Sequence, residues 1–269
     1  MKLQHALLAL QAVTNREVAK FLRQGGRLAS ALVRPLLWLV VFAAGFRNVF
    51  GVSIIPPYET YIPYQVYIVP GLLGMVLLFN GMQSSLAMVY DREMGMMRLL
   101  LTAPLPRSFL LFAKLLAGTP LSVLQAYAFL VVAVLFDVDL PWMGWVYAFP
   151  VIVLSGMMLG ALGLLLSVHV RQLENFAGTM NFVIFPMFFL SPALYPLWKL
   201  EESGATAIHL IAQWNPFTHA VEAIRFALYG QLASRSVVIV LVCLAAFFFL
   251  AVRGYDPQRG FSKRGGKPD

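Results

Sequence analysis

The chain has 269 residues, of which 60% are hydrophobic and 12% charged. Soluble domains carry about 25% charged residues, so the composition excludes an ordinary globular enzyme and points to an all-α integral membrane protein. The net charge of +8 would suggest nucleic-acid binding in a soluble protein. Here it follows from where Lys and Arg collect along the chain, and no nucleic-acid partner is expected.

The stretch from Met1 to Arg27 mixes apolar residues with Lys2, Arg16, Lys20, Arg23 and Arg27. It lacks a short apolar core followed by a small-residue cleavage site, so a removable signal peptide is not expected. Residues 1–30 read instead as an amphipathic helix lying at the cytoplasmic membrane surface. Six apolar runs follow, at Leu32–Phe50, Tyr67–Tyr90, Phe109–Phe136, Trp145–Val168, Phe176–Leu194 and Val237–Val252. A bilayer core is crossed by about 20 mainly apolar residues in a helix, whose backbone amides then bond within their own segment. The runs therefore predict six transmembrane helices over residues 31–253. Arg34 and Arg47 bracket the first and are expected to reach opposite interfaces.

Orientation comes from the basic residues. Arg47, Lys199, Arg225 and Arg235 fall on one side, and the other sixteen of the 20 Lys and Arg fall on the opposite side. An even number of spans with this asymmetry places both termini in the cytoplasm, including the basic, Gly-rich tail of residues 254–269. The Asp137–Trp145 connection has two Asp and no Lys or Arg, as a translocated loop should. The Val49–Val66 connection is rich in Pro and Tyr and reads as an interfacial cap.

The external region 196–235 is longer and partly apolar. Within it Asn215 and Pro216 form a helix start, an N-cap followed by Pro at the first position, and Gly230 is its expected stop. Glu222 and Arg225, three apart on this helix, are expected to pair, and the helix reads as partly re-entrant. His209 and His219 lie nearby, but a metal site needs more ligands at defined spacing. Cys243 is the single cysteine, which excludes an internal disulfide.

Polar residues inside spans are expensive in lipid and mark interhelical bonds or transport paths. Asn80, Gln83 and Ser84 share roughly one face of the second span. Asn181, Phe182 and Phe185 stand on the fifth. Both sets are candidates for a translocation path, with interhelical hydrogen bonding and plain packing as the alternatives. Gly156, Gly160 and Gly163 form a small-residue stripe suited to close helix packing. No span has Asp, Glu or Lys near its centre, which argues against a proton-coupled carrier. The four histidines lie near or beyond span ends, which argues against an intramembrane redox subunit; both remain as alternatives.

The cytoplasmic connection of residues 91–108 carries the most specific pattern. Asp91, Arg92 and Glu93 are followed by Gly95, Arg98, Leu101 and a Pro-bounded turn at Pro104. An amphipathic helix there offers a knob to another protein or to the lipid headgroups, with an ordinary positive-inside loop as the alternative. This stretch resembles the segment after the second span of ABC-2-type exporter permeases, roughly E-R-E-x-G-T-x-x-x-L-L-x-[ST]-P-[LIV], with Met96 where Thr is common. The Asn215-Pro216-Phe217 run with Glu222 and Arg225 is similar to a late motif of the same family.

The resemblance implies the following. The chain would be a permease of an exporter in a prokaryotic plasma or inner membrane, acting as a homodimer or with a paired permease. It would bind two copies of an ATPase subunit through Glu93, Gly95, Arg98, Leu101 and Pro104. The second and fifth spans would line the path of an amphipathic, lipid-linked, glycan or drug-like cargo. The chain lacks a G-x-x-x-x-G-K-[ST] phosphate loop, so no cofactor is expected on it, and ATP and Mg would sit on the partner.

Overall fold

The computed structural model describes residues 11–12, 14–16, 19, 33–41, 51–52, 56–93, 106–170 and 173–255. Long helices dominate: α1 at Tyr64–Glu93, α2 at Arg107–Leu135, α3 at Trp142–His169 and α4 at Leu173–Phe189. Three short helices follow, α5 at Leu197–Glu202, α6 at Thr206–Trp214 and α7 at Pro216–Leu228, and then α8 at Ser234–Gly254. Residues 33–41 are also helical.

Among the described residues, four helices are long and apolar enough to cross a membrane: Tyr64–Tyr90, Ser108–Leu135, Trp142–His169 and Ser234–Gly254. They correspond to the second, third, fourth and sixth predicted spans. The first predicted span is described only at residues 33–41. The fifth is shorter than the apolar run suggests. It stops at Phe189, 17 residues long, and Leu190–Leu194 form turns. Pro192 explains the stop, because a proline disfavours the helical conformation of the residue before it and offers no N–H of its own. The all-helical expectation also needs amending: the Pro- and Tyr-rich connection contains a two-stranded antiparallel ladder, Gly51 opposite Pro63 and Val52 opposite Ile62.

α1 and α3 form the centre and run parallel, with Leu77 beside Gly156, Gly81 beside Gly160 and Ser85 beside Gly163. α3 touches α1, α2, α7 and α8, and α1 also touches α2, α4 and α7. Where lipid surrounds a bundle, close backbone approach and van der Waals contact replace the hydrophobic drive between helices. The α1–α3 crossing shows the consequence. A Cβ on Gly163 would lie 2.5 Å from Ser85 Oγ and 2.8 Å from the Gly81 carbonyl, and one on Gly81 would lie 2.9 Å from the Gly160 backbone nitrogen. The small-residue stripe on α3 thus meets a glycine on α1 that the sequence reading had not singled out. Gly156 faces Ser122 and Leu77 across ordinary contact distances. The main core gathers Tyr67, Leu72, Met75, Phe129, Phe188 and Phe217, all fully buried. A smaller cluster at the Glu93 end of α1 includes Met88, Leu111, Leu164 and Ala251.

Candidate functional site

Helix α7 starts and stops where local chemistry dictates. Asn215 caps it by accepting the Phe217 N–H at 3.0 Å, Pro216 occupies the first turn, and Gly230 follows with φ +69°. The helix is buried along most of its length, against α1, α3 and α8. The Asn215 side chain does a second job. Its Nδ2 donates to the carbonyls of Met187 and Leu190, both at 2.7 Å. The last carbonyls of a helix have no intrahelical donor, and α7 supplies two of them at the end of α4.

The turn after α4 is gripped further by tyrosines of α1. Tyr67 Oη donates to the Pro192 carbonyl at 3.1 Å and Tyr64 Oη to the Leu194 carbonyl at 2.6 Å. Gly71 lets this turn approach, because a Cβ there would overlap the backbone of Ala193.

Arg225 completes the clamp. It is 3% exposed, pairs through Nη1 with Glu222 Oε1, and donates from Nη2 to the Pro192 carbonyl at 2.6 Å. Its Cζ lies 4.3 Å from the centroid of the Tyr67 ring. The sequence-predicted Glu222–Arg225 pair is therefore present, and it is one part of a buried assembly with Tyr67 and Pro192. Sequence reasoning missed Tyr64, Tyr67 and Pro192. The only available signal was the clustering of Tyr and Pro on both sides of the second span.

His219, on the first turn of α7, links three elements. Its Nε2 meets the Gln213 carbonyl of α6 at 3.1 Å and its Nδ1 lies 3.5 Å from Ser236 Oγ of α8. Burial depresses its pKa, the Gln213 carbonyl and Glu222 oppose that shift, and Arg235 reinforces it.

The path candidates divide. Asn80 is buried on α1 and donates through Nδ2 to Ser122 Oγ of α2, whose hydroxyl turns to the Gly118 carbonyl. Ser84 sits one turn on and, with Lys114, Thr119 and Ser122, lines a cavity of about 30 Å³ between α1, α2 and α3. Gln83 is half-buried. Asn181, Phe182 and Phe185 stand on the outward face of α4, Phe182 at 80% exposure. Asn80 and Ser84 therefore face another helix, while the α4 residues face outward, and the two sets do not converge within the chain. At the end of α4 an apolar groove of about 480 Å³ runs between Pro186, Met187 and Leu190 and the α6 residues Leu210, Ile211 and Trp214.

Of the motif after α1, Glu93 is described and exposed. Gly95, Arg98, Leu101 and Pro104 lie outside the described residues. Arg34 lies against α1. Its Cζ sits 4.0 Å from the centroid of Phe79, in the middle of α1.

Comparison with known proteins identifies the group that shares this pattern. A family model described as ABC-2 type transporter matches residues 8–229. The chain is 29% identical over 224 residues to the putative transport permease ycf38 of Porphyra purpurea, covering 81% of this chain and 72% of that protein. It is 30% identical over 207 residues to the ycf38 permease of Cyanophora paradoxa, covering 74% and 67%. To the inner membrane transport permease YadH of Escherichia coli (strain K12) it is 24% identical over 225 residues, covering 83% and 84%.

Proposed function

The chain belongs to the ABC-2 type transporter family, and on that premise we propose that it is the permease subunit of an ATP-driven exporter. A permease of this family is a non-catalytic membrane subunit that works with an ATPase subunit. In this reading two copies of that ATPase, carrying ATP and Mg, dock beneath a permease homodimer or a pair of related permeases. The chain spans the plasma or inner membrane of a prokaryote six times, with both termini in the cytoplasm. Residues 1–30 lie along the cytoplasmic surface, and α7 dips into the outer leaflet from the opposite side.

Force enters through Glu93, Gly95, Arg98, Leu101 and Pro104, and the cargo moves past α1 and the outward face of α4. An amphipathic, lipid-linked, glycan or drug-like cargo suits the apolar groove beside α4 and the exposed Phe182 and Phe185. Closure of the ATPase pair would switch the seam between inward- and outward-open arrangements.

The observation that carries this reading is the family match over residues 8–229, which takes in both the stretch after α1 and the clamp around Arg225. The test is co-purification with a Walker-motif subunit from the source cells, identified by mass spectrometry, with ATP hydrolysis measured in the complex. The wild-type permease should retain that subunit, and a Glu93→Ala/Arg98→Ala double variant should release it. Retention by the double variant, or transport by the permease alone on an ion gradient, would overturn the proposal. A cysteine placed at Gly95 should resist an impermeant thiol reagent on intact cells.

A further inference from the structure

Arg34 is a cation set against the middle of α1, a helix long and apolar enough to cross a membrane. Phe79, which its guanidinium faces at 4.0 Å, is the sixteenth residue of the 30-residue helix α1. At 1.5 Å per residue it lies about 21–23 Å from either end, well beyond the half-thickness of roughly 15 Å of a bilayer core. The next turn of the same segment packs on α4. Trp38 places its ring 6.2 Å from Phe188 and 6.0 Å from Phe189 of α4, and Phe188 in turn contacts Phe217 at 6.2 Å. Arg34, one turn from Trp38, therefore sits about 6 Å from the level of Phe188.

The side chain is exposed, and among the described residues no carboxylate lies within ion-pair distance. One turn along α1 from Phe79 is Gln83, a polar residue on the same face. A charge at this depth is costly, and such residues face a cavity or mark the passage of a substrate. The ring of Phe79 offsets part of the cost by cation–π attraction and holds the planar fork ready, and among the described residues no anion meets its five N–H donors.

We propose that Arg34 is a mid-membrane anion site that receives the phosphate or carboxylate of an amphipathic cargo, with Phe79 as the platform that orients the guanidinium. This deepens the exporter reading and rests on it for the identity of the occupant as cargo. Arginine suits the role because it keeps its charge at every relevant pH and grips planar or tetrahedral anions with two parallel donors.

The experiment uses the full-length permease without its ATPase, in nanodiscs of phosphatidylcholine, and dodecyl phosphate as the probe, with dodecanol as the uncharged control. Saturable binding of dodecyl phosphate, at least tenfold tighter than dodecanol, is expected for the wild type. Arg34→Met should weaken it about tenfold or more, and Arg34→Lys should retain it within a few-fold. Phe79→Leu should weaken it a few-fold while leaving the charge in place, which keeps the proposal testable if Arg34→Met does not fold. Equal binding of the two probes, or wild-type affinity in Arg34→Met, would overturn the site. Competition by phosphatidylglycerol in the disc would assign the occupant to a membrane lipid and overturn the cargo assignment, whereas indifference to it supports cargo. Because no ATPase is present, a negative result sinks the anion site and leaves the co-purification test untouched.

Discussion

The guanidinium of Arg225 lies over the ring of Tyr67, with 4.3 Å between its Cζ and the ring centroid, and both residues hold the same atom, the carbonyl oxygen of Pro192. One residue comes from α7 and the other from α1, so two helices close on the turn that ends α4. The Glu222 carboxylate neutralises the charge that this geometry buries.

Removing one member of that assembly should cost more than removing the charged pair. Arg225→Met leaves the Glu222 carboxylate without its partner and the Pro192 carbonyl short of a donor. Breaking a buried ion pair costs about 3–5 kcal/mol, and we expect a loss of that order in detergent-solubilised thermal melts. The double variant Glu222→Gln/Arg225→Met should recover part of it. A double variant as unstable as the single would show that the charge balance is not what matters.

Asn215 serves two helices at once, and substitutions can separate the two roles. Asn215→Ser keeps an oxygen for the Phe217 N–H and removes both donors to Met187 and Leu190. Asn215→Ala removes everything. The difference between the two should be about 0.5–2 kcal/mol, the worth of an N-cap. The larger drop should already appear in the serine variant, because two buried carbonyls lose their donors, at about 1–3 kcal/mol for an unsatisfied group. Equal stability of wild type and Asn215→Ser would refute the link to α4.

The α1–α3 crossing should not tolerate an added methyl group at Gly163. Gly163→Ala places a Cβ against the Gly81 carbonyl and Ser85 Oγ, and overpacking of this kind costs typically about 1–3 kcal/mol. Gly178 on α4 has nothing within 4 Å of an added Cβ, so Gly178→Ala should be neutral or slightly stabilising. Melting temperatures of the two variants, measured side by side, decide the point.

His219 should make the folded state weaker in acid. Its pKa lies below the ordinary 6.5, chiefly because it is half-buried, so the unfolded chain takes up the proton first. Its contribution is complete above about pH 6.5 and is lost as the pH falls from there toward the depressed folded value. Wild type should therefore lose melting temperature between pH 7.5 and pH 5.5 by more than His219→Gln does. Parallel curves for the two proteins would assign the acid sensitivity to other groups.

Much of this architecture was readable in one dimension, because the rules that produce it are local. Lipid demands a long apolar run wherever a helix crosses, so the second, third, fourth and sixth spans were bounded to within a few residues. Capping is equally local, which is why Asn215, Pro216 and Gly230 announced α7 and why the spacing of Glu222 and Arg225 announced their pairing. The end of the fifth span was misjudged because apolar character continues to Leu194, and only the backbone preference imposed by Pro192 stops the helix earlier.

What one dimension did not hold is which faces meet. The apolar pattern says that a helix is buried or bathed in lipid, but it does not specify the rotation and height at which it meets its neighbours. Gly81 beneath Gly160 and Gly163, Tyr67 beneath Arg225, and Phe79 beneath Arg34 are residues far apart in the chain, brought together by helix crossings. Asn80 and Ser84 were legible as polar residues in a span, yet their direction, toward α2 rather than toward Asn181 and Phe182, was decided by how α1 is turned. Composition and local chemistry specified a membrane protein and most of its helices, and the family resemblance specified a permease, whereas the setting of a charge and the partner of a buried polar group exist only once the helices are packed.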